Sequence, residues 1–151
     1  MILALFLIMA ASLFCQTSTT ESSMGKSSHG VIFGFGTQNS LCISAGYNWR
    51  DILIPSSEPI GMNKGIITEY SMKGLYVRPY ISIFAGSVGP MFGASASVGT
   101  DMSQFVLRIS PEAGFSIGGF MTFYYAINFA VLQNFTFGHE FGIRMYIIQF
   151  G

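Results

Sequence analysis

The chain has 151 residues, half of them hydrophobic and only 9% charged, with a formal net charge of zero. A soluble domain carries about 25% charged residues, so this composition argues against an ordinary water-facing surface, and the lack of any basic run argues against nucleic acid as a partner. The length suits one domain with one core, and 18 Gly with 15 Phe and 7 Tyr favour strands and turns over helices.

Met1 to Cys15 is apolar apart from Ser12. Such a run is too short to cross a bilayer as a helix and fits the apolar part of a signal peptide, although no positive residue precedes it. Residues 1–15 are therefore read as a signal peptide cleaved after Cys15. A lipid anchor on Cys15 is the competing reading, disfavoured because Ser12 and Phe14 stand where lipidation wants Leu and a small residue. Residues 16–29, rich in Ser and Thr, read as a flexible N-terminal segment, and 30–150 as a single barrel domain. Cys42 is the other cysteine. Loss of Cys15 leaves it without an intramolecular disulfide partner, and it reads as a small buried residue.

From residue 30 onward the recurring signal is alternation, which places successive side chains on opposite faces of a strand. Val31, Phe33 and Phe35 alternate with glycines and Ile32. Leu41, Ile43, Ala45, Tyr47 and Trp49 alternate with Cys42, Ser44, Gly46, Asn48 and Arg50. The phase flips near Lys73-Gly74, which predicts a tight turn or bulge there. Beyond it, Leu75, Val77, Ile81 and Ile83 oppose Tyr76, Arg78, Tyr80 and Ser82. Phe105, Leu107 and Ile109 oppose Val106, Arg108 and Ser110, in phase with Glu112. The clearest run is Phe115 to Val131. Phe137, Phe141, Ile143 and Met145 oppose Gly138, Glu140, Gly142 and Arg144.

Eight strands are predicted, near 30–37, 41–50, 66–73, 75–84, 90–99, 105–117, 120–131 and 135–147. Turns are expected at Gln38-Asn39-Ser40, Lys73-Gly74, Gly86 to Gly89, Gly99 to Gln104, Gly118-Gly119 and Gln133-Asn134. The charge-free stretch Ala113 to Phe137 is also long enough for a membrane helix. Its strict alternation and Gly118-Gly119 favour strands and a turn instead. Short connections between sequential strands give an all-β, antiparallel, up-and-down transmembrane barrel.

One face of these strands is bulky and nearly free of charge. The other is small, with isolated charges at Arg50, Glu69, Lys73, Arg78, Arg108, Glu112, Glu140 and Arg144. An eight-stranded barrel has room inside only for packed side chains, so the bulky set is placed outward toward lipid. Arg78, Arg108, Glu112, Glu140 and Arg144 are then read as a structural network in the lumen. Four strand residues span about 13 Å, so each Arg is expected to reach a carboxylate on a neighbouring strand. Balanced charge predicts a closed interior rather than a pore. Trp49, Tyr47, Tyr70, Tyr76, Tyr80 and Tyr146 are expected to gather at the two membrane–water levels.

These alternating runs, the signal-like start and the last strand, His139 to Phe150, resemble the small eight-stranded outer-membrane barrel proteins of Gram-negative bacteria. In that family an aromatic residue closes the last strand and helps the insertion machinery recognise it; here Phe150 is followed by Gly151. The resemblance implies a location in the cell outer membrane, with outer-membrane lipid and the barrel-insertion machinery as partners. It also implies long outer loops and short inner turns, against which the segment Asp51 to Gly65 reads either as a sign of a miscounted strand or as an unusual inner loop. Pro79 and Pro111 fall inside predicted strands and are expected to mark bulges.

No metal-ligand cluster, phosphate-binding loop or small-molecule site is evident, and no cofactor is expected. Asn134-Phe135-Thr136 is read as a chance glycosylation sequon. His139 is the one residue that suggests catalysis, since some barrels of this class modify lipids with a His and a Ser, but its parity places it on the lipid-facing side. The expected function is a non-enzymatic structural or surface-interaction barrel. A lipid-binding or lipid-modifying barrel is the alternative, and a soluble lipocalin-like barrel a third.

Overall fold

The computed structural model describes residues 27–38, 40–72, 74–101, 104–131 and 137–150. They form eight strands: β1 Ser27–Thr37, β2 Leu41–Ile54, β3 Ile60–Ser71, β4 Gly74–Ala85, β5 Val88–Asp101, β6 Gln104–Ile117, β7 Met121–Ala130 and β8 Phe137–Phe150. Each pairs antiparallel with the next, and β8 pairs with β1 to close an up-and-down barrel. Closure leaves no open sheet edge along the paired lengths. The cleavage and lipidation sites, Lys73 and the Gln133-Asn134 turn lie outside the described residues.

The stretch weighed as a helix is the β6–β7 hairpin. Gly118 and Gly119 hold φ of 55° and 71°, and Phe120 N–H donates to Ile117 O at 2.9 Å. Positive φ at both central residues is the primed turn that matches strand twist, and glycine reaches it without steric cost.

Three expectations need correction. The long inner loop between Asp51 and Gly65 does not exist: β2 runs on to Ile54 and β3 starts at Ile60, leaving a connection of 55–59. Asp51 pairs with Met62 and Arg50 with Asn63, so the sparse alternation there hid paired strand. β1 likewise begins at Ser27, taking three residues from the segment read as flexible. The bulges expected at Pro79 and Pro111 are absent. Pro79 opposes Ile66 and Pro111 opposes Ala94 without any shift of register. The β4–β5 ladder instead skips from Val77 to Tyr80, and the β6–β7 ladder from Ile109 to Glu112. A missing N–H interrupts bonding to one neighbour only. The register shifts fall between Val31 and Ile32 and between Ile52 and Ile54.

The start of β1, the end of β8 and connections 55–59, 86–87 and 118–120 share one rim, called proximal here. The ends of β1, β3, β5 and β7 and the starts of β2, β4, β6 and β8 share the distal rim. The connections on both rims are short, so the long outer loops expected from the resemblance are missing. The proximal turns are knitted together, Gly86 N–H to Pro59 O at 2.8 Å and Gly118 N–H to Ser87 O at 2.5 Å.

Large apolar residues point outward along every strand. Phe33, Phe35, Leu41, Ile43, Ile81, Ile83, Phe92, Ile109, Phe115, Phe123, Phe141 and Ile147 are all exposed. Arg50, Glu69, Arg78, Glu112, Glu140 and Arg144 are inside. The lumen also takes more bulk than expected, including Phe84, Met91, Ile32 and Ile67. Small residues make the room: a Cβ at Gly142 would lie 2.6 Å from Tyr124 Cε1, so glycine lets that ring lie against the wall.

Candidate functional site

The lumen is stacked in tiers. Nearest its middle, Arg78 on β4 donates to Glu140 on β8 through two parallel bonds, Nη1–Oε1 2.6 Å and Nη2–Oε2 2.7 Å. Its Nη2 also lies 3.2 Å from Glu69 Oε2. Glu140 further accepts from Tyr124 Oη at 2.6 Å and from Asn128 Nδ2 at 3.1 Å, and Ser110 Oγ donates to Asn128 Oδ1. Arg78, Glu69 and Glu140 are all essentially buried. Two parallel charge-assisted bonds fix both orientation and distance.

In the adjoining tier Arg144 on β8 donates to Glu112 on β6, Nη1–Oε2 2.6 Å and Nη2–Oε1 2.8 Å, and Ser95 Oγ adds a bond to Oε1 at 2.7 Å. The guanidinium carbon stands 4.1 Å from the centre of the Tyr124 ring and 4.7 Å from that of Tyr80. Tyr80 Oη in turn donates to Asn48 Oδ1 at 2.5 Å. Aromatic faces and carboxylate together replace the water the cation has lost.

Arg108 occupies the distal rim, half-buried, donating to Gln38 Oε1 at 2.8 Å and Tyr76 Oη at 3.1 Å. Arg50 occupies the proximal end, between the rings of Phe120 and Phe84 at 4.3 and 5.4 Å, with Nη2 donating to Gly118 O. The sequence-named residues thus fall into two ion-paired groups, Arg78 with Glu140 and Arg144 with Glu112, while Arg108 stands apart from both.

Neighbouring-strand pairing, the expected arrangement, holds for Arg78 with Glu69. The bidentate pairs do not follow it: β4 and β8 face each other across the barrel, and β7 separates β6 from β8. The interior is narrow enough for a guanidinium to cross it. The tyrosines divide between the lumen and the outer wall. Tyr76, Tyr80 and Tyr146 are buried in the lumen rather than set at the outer levels. Their parity with Arg78 and Arg144 carried that information, and aromatic character masked it. Tyr47, Trp49 and Tyr70 do face outward. Tyr47 packs edge-on against Trp49 at 4.8 Å and lies 5.9 Å from His29.

The outer wall carries two polar features. Lys64 Nζ meets Asp51 Oδ2 at 3.0 Å toward the proximal rim. Tyr125 Oη and His139 Nδ1 lie 2.5 Å apart, with the rings stacked. Next to Tyr125 a shallow groove of about 640 Å³ runs between Phe35, Leu41, Phe115, Phe123, Phe141 and Ile143, floored by Ala113. Among the described residues, no Ser is in hydrogen-bond contact with His139.

No protein-family model, curated protein or solved structure matches this chain.

Proposed function

We propose that this chain is an exported outer-membrane barrel with a non-enzymatic structural or surface-interaction role and a closed polar interior. The inverted partition of side chains carries the reading. Arg78, Glu69, Glu140, Arg144 and Glu112 are buried and ion-paired, while phenylalanine, isoleucine and leucine form the exposed wall. Water would drive the opposite arrangement, since apolar area exposed to it costs roughly 25 cal/mol per Å², whereas hydrocarbon favours apolar residues outside and a closed barrel with no unpaired edge. β4, of 12 residues, rises about 30 Å when tilted near 40°, which covers an apolar belt about 25 Å tall. Outer-membrane lipid and the insertion machinery are its partners in this reading. The short connections on both rims limit any contact surface to the turns, so a structural role is favoured over recognition through loops.

Fractionation of cells making the full chain tests this. The expected result is recovery with the outer membrane, extraction only by detergent and heat-dependent migration on gels. Recovery of folded protein from the aqueous fraction would sink the membrane reading and favour the soluble barrel. The closed interior also predicts no stepwise ion conductance in planar bilayers; reproducible channels would overturn it.

The second reading, a lipid-binding or lipid-modifying barrel, is favoured by one observation, the outer groove beside the Tyr125–His139 pair. A lipid that stays with the purified barrel and is lost on Ala113→Trp would support it.

A further inference from the structure

The lumen's carboxylates are unevenly shared. Glu69, Glu112 and Glu140 all engage Arg78 or Arg144. Arg108 lacks a carboxylate among the described residues but is half-buried at the rim. Arg50 also lacks one, yet is only 8% exposed. A buried cation without a counter-charge is costly. Around it lie further polar groups. Asn63, fully buried and opposite Arg50 across the β2–β3 ladder, has neither Oδ1 nor Nδ2 bonded. Thr122 Oγ1 and Tyr146 Oη lie within hydrogen-bonding reach of each other, and Tyr146 Oη also of Tyr80. Both flank the turn that Arg50 reaches: Thr122 pairs with Ser116 at its base, and Tyr146 N–H donates to Phe120 O.

The geometry points to a small-anion site here, for a monovalent ion of halide size. Phe84 and Phe120 cover the guanidinium, and Nη2 is used by Gly118. Nε is left without a partner. A Cβ at Gly119 would stand 2.9 Å from Nε, so glycine keeps that edge uncovered. An anion there would neutralise Arg50 and accept from Nε, with Asn63 Nδ2 and Tyr146 Oη as further donors. Arg50 lies just beneath the proximal turns, which gives the ion a short path in.

The site is tested on the full chain in detergent, comparing thermal unfolding in chloride and in gluconate at equal ionic strength. The expected result is a saturable rise in midpoint with chloride. That rise is lost in Asn63→Leu and in Gly119→Ala, and bromide gives an anomalous diffraction peak beside Arg50 Nε. Arg50→Met removes the cation outright but can fail to fold, so Asn63→Leu is the deciding variant. Equal midpoints in the two salts, an unchanged chloride effect in a folded Asn63→Leu, or ordered water alone beside Arg50 in bromide crystals would each overturn the proposal.

Discussion

The Arg144–Glu112 pair offers the sharpest energetic test of the lumen. Both side chains are at most 1% exposed and share bonds of 2.6 and 2.8 Å, so neither can be rehydrated if the other is removed. Arg144→Met strands the carboxylate, and Glu112→Leu strands the guanidinium. Each is expected to cost about 3–5 kcal/mol, the range for breaking a buried pair. Methionine is chosen because its flexible thioether keeps contact with the rings of Tyr80 and Tyr124. The double variant Arg144→Met with Glu112→Leu leaves neither charge of this pair stranded. Its main residual cost is the unpaired Ser95 hydroxyl, about 1–3 kcal/mol. The two substitutions are therefore strongly non-additive. Urea titration of the barrel folded into lipid vesicles measures all three free energies by linear extrapolation. Singles costing under about 1 kcal/mol, as exposed pairs do, would refute the argument. A double variant costing the sum of the singles would refute it equally.

Other substitutions probe the wall, the turn and the hydrogen-bond network. Ile81→Arg, in the body of β4 on the exposed wall, is expected to cost about 2–4 kcal/mol in vesicles, and Ala85→Arg at the rim of that strand about 0–1 kcal/mol; equal small effects at both would contradict a lipid-facing wall. Gly119→Ala, at φ 71° and against Phe84, should lose at least about 1–2 kcal/mol from left-handed strain, and a neutral result in the same titration would mean the turn is not held as described. Tyr124→Phe removes the 2.6 Å bond to Glu140 and should cost about 1.5–3 kcal/mol, as for bonds to charged groups; no loss of stability would show that Arg78 and Asn128 satisfy that carboxylate unaided.

The two-residue period was legible in the sequence wherever bulky and small residues strictly alternate, as from Phe115 to Val131. It gave eight strands in the right order, since period alone determines which side chains share a face. It failed from Asp51 to Gly65, where Lys64, Asp51 and Asn63 break the hydrophobic contrast although the backbone stays paired on both sides of the 55–59 connection. Proline content gave the wrong local answer at 79 and 111, because the register there is held by the complete ladders on the other side of each strand. Parity alone placed Arg78, Glu112, Glu140 and Arg144 inside, and it could have placed Tyr76, Tyr80 and Tyr146 there too. Which charges meet was decided only by closure of the barrel. Register and stagger bring β4 opposite β8, so that Arg78 finds Glu140 from 62 positions away along the chain. Arg50 lies under Gly118 and Gly119 for the same reason. The sequence by itself determined which residues face inward; only the closed tertiary structure determined their partners and left Arg50 without a carboxylate among the described residues.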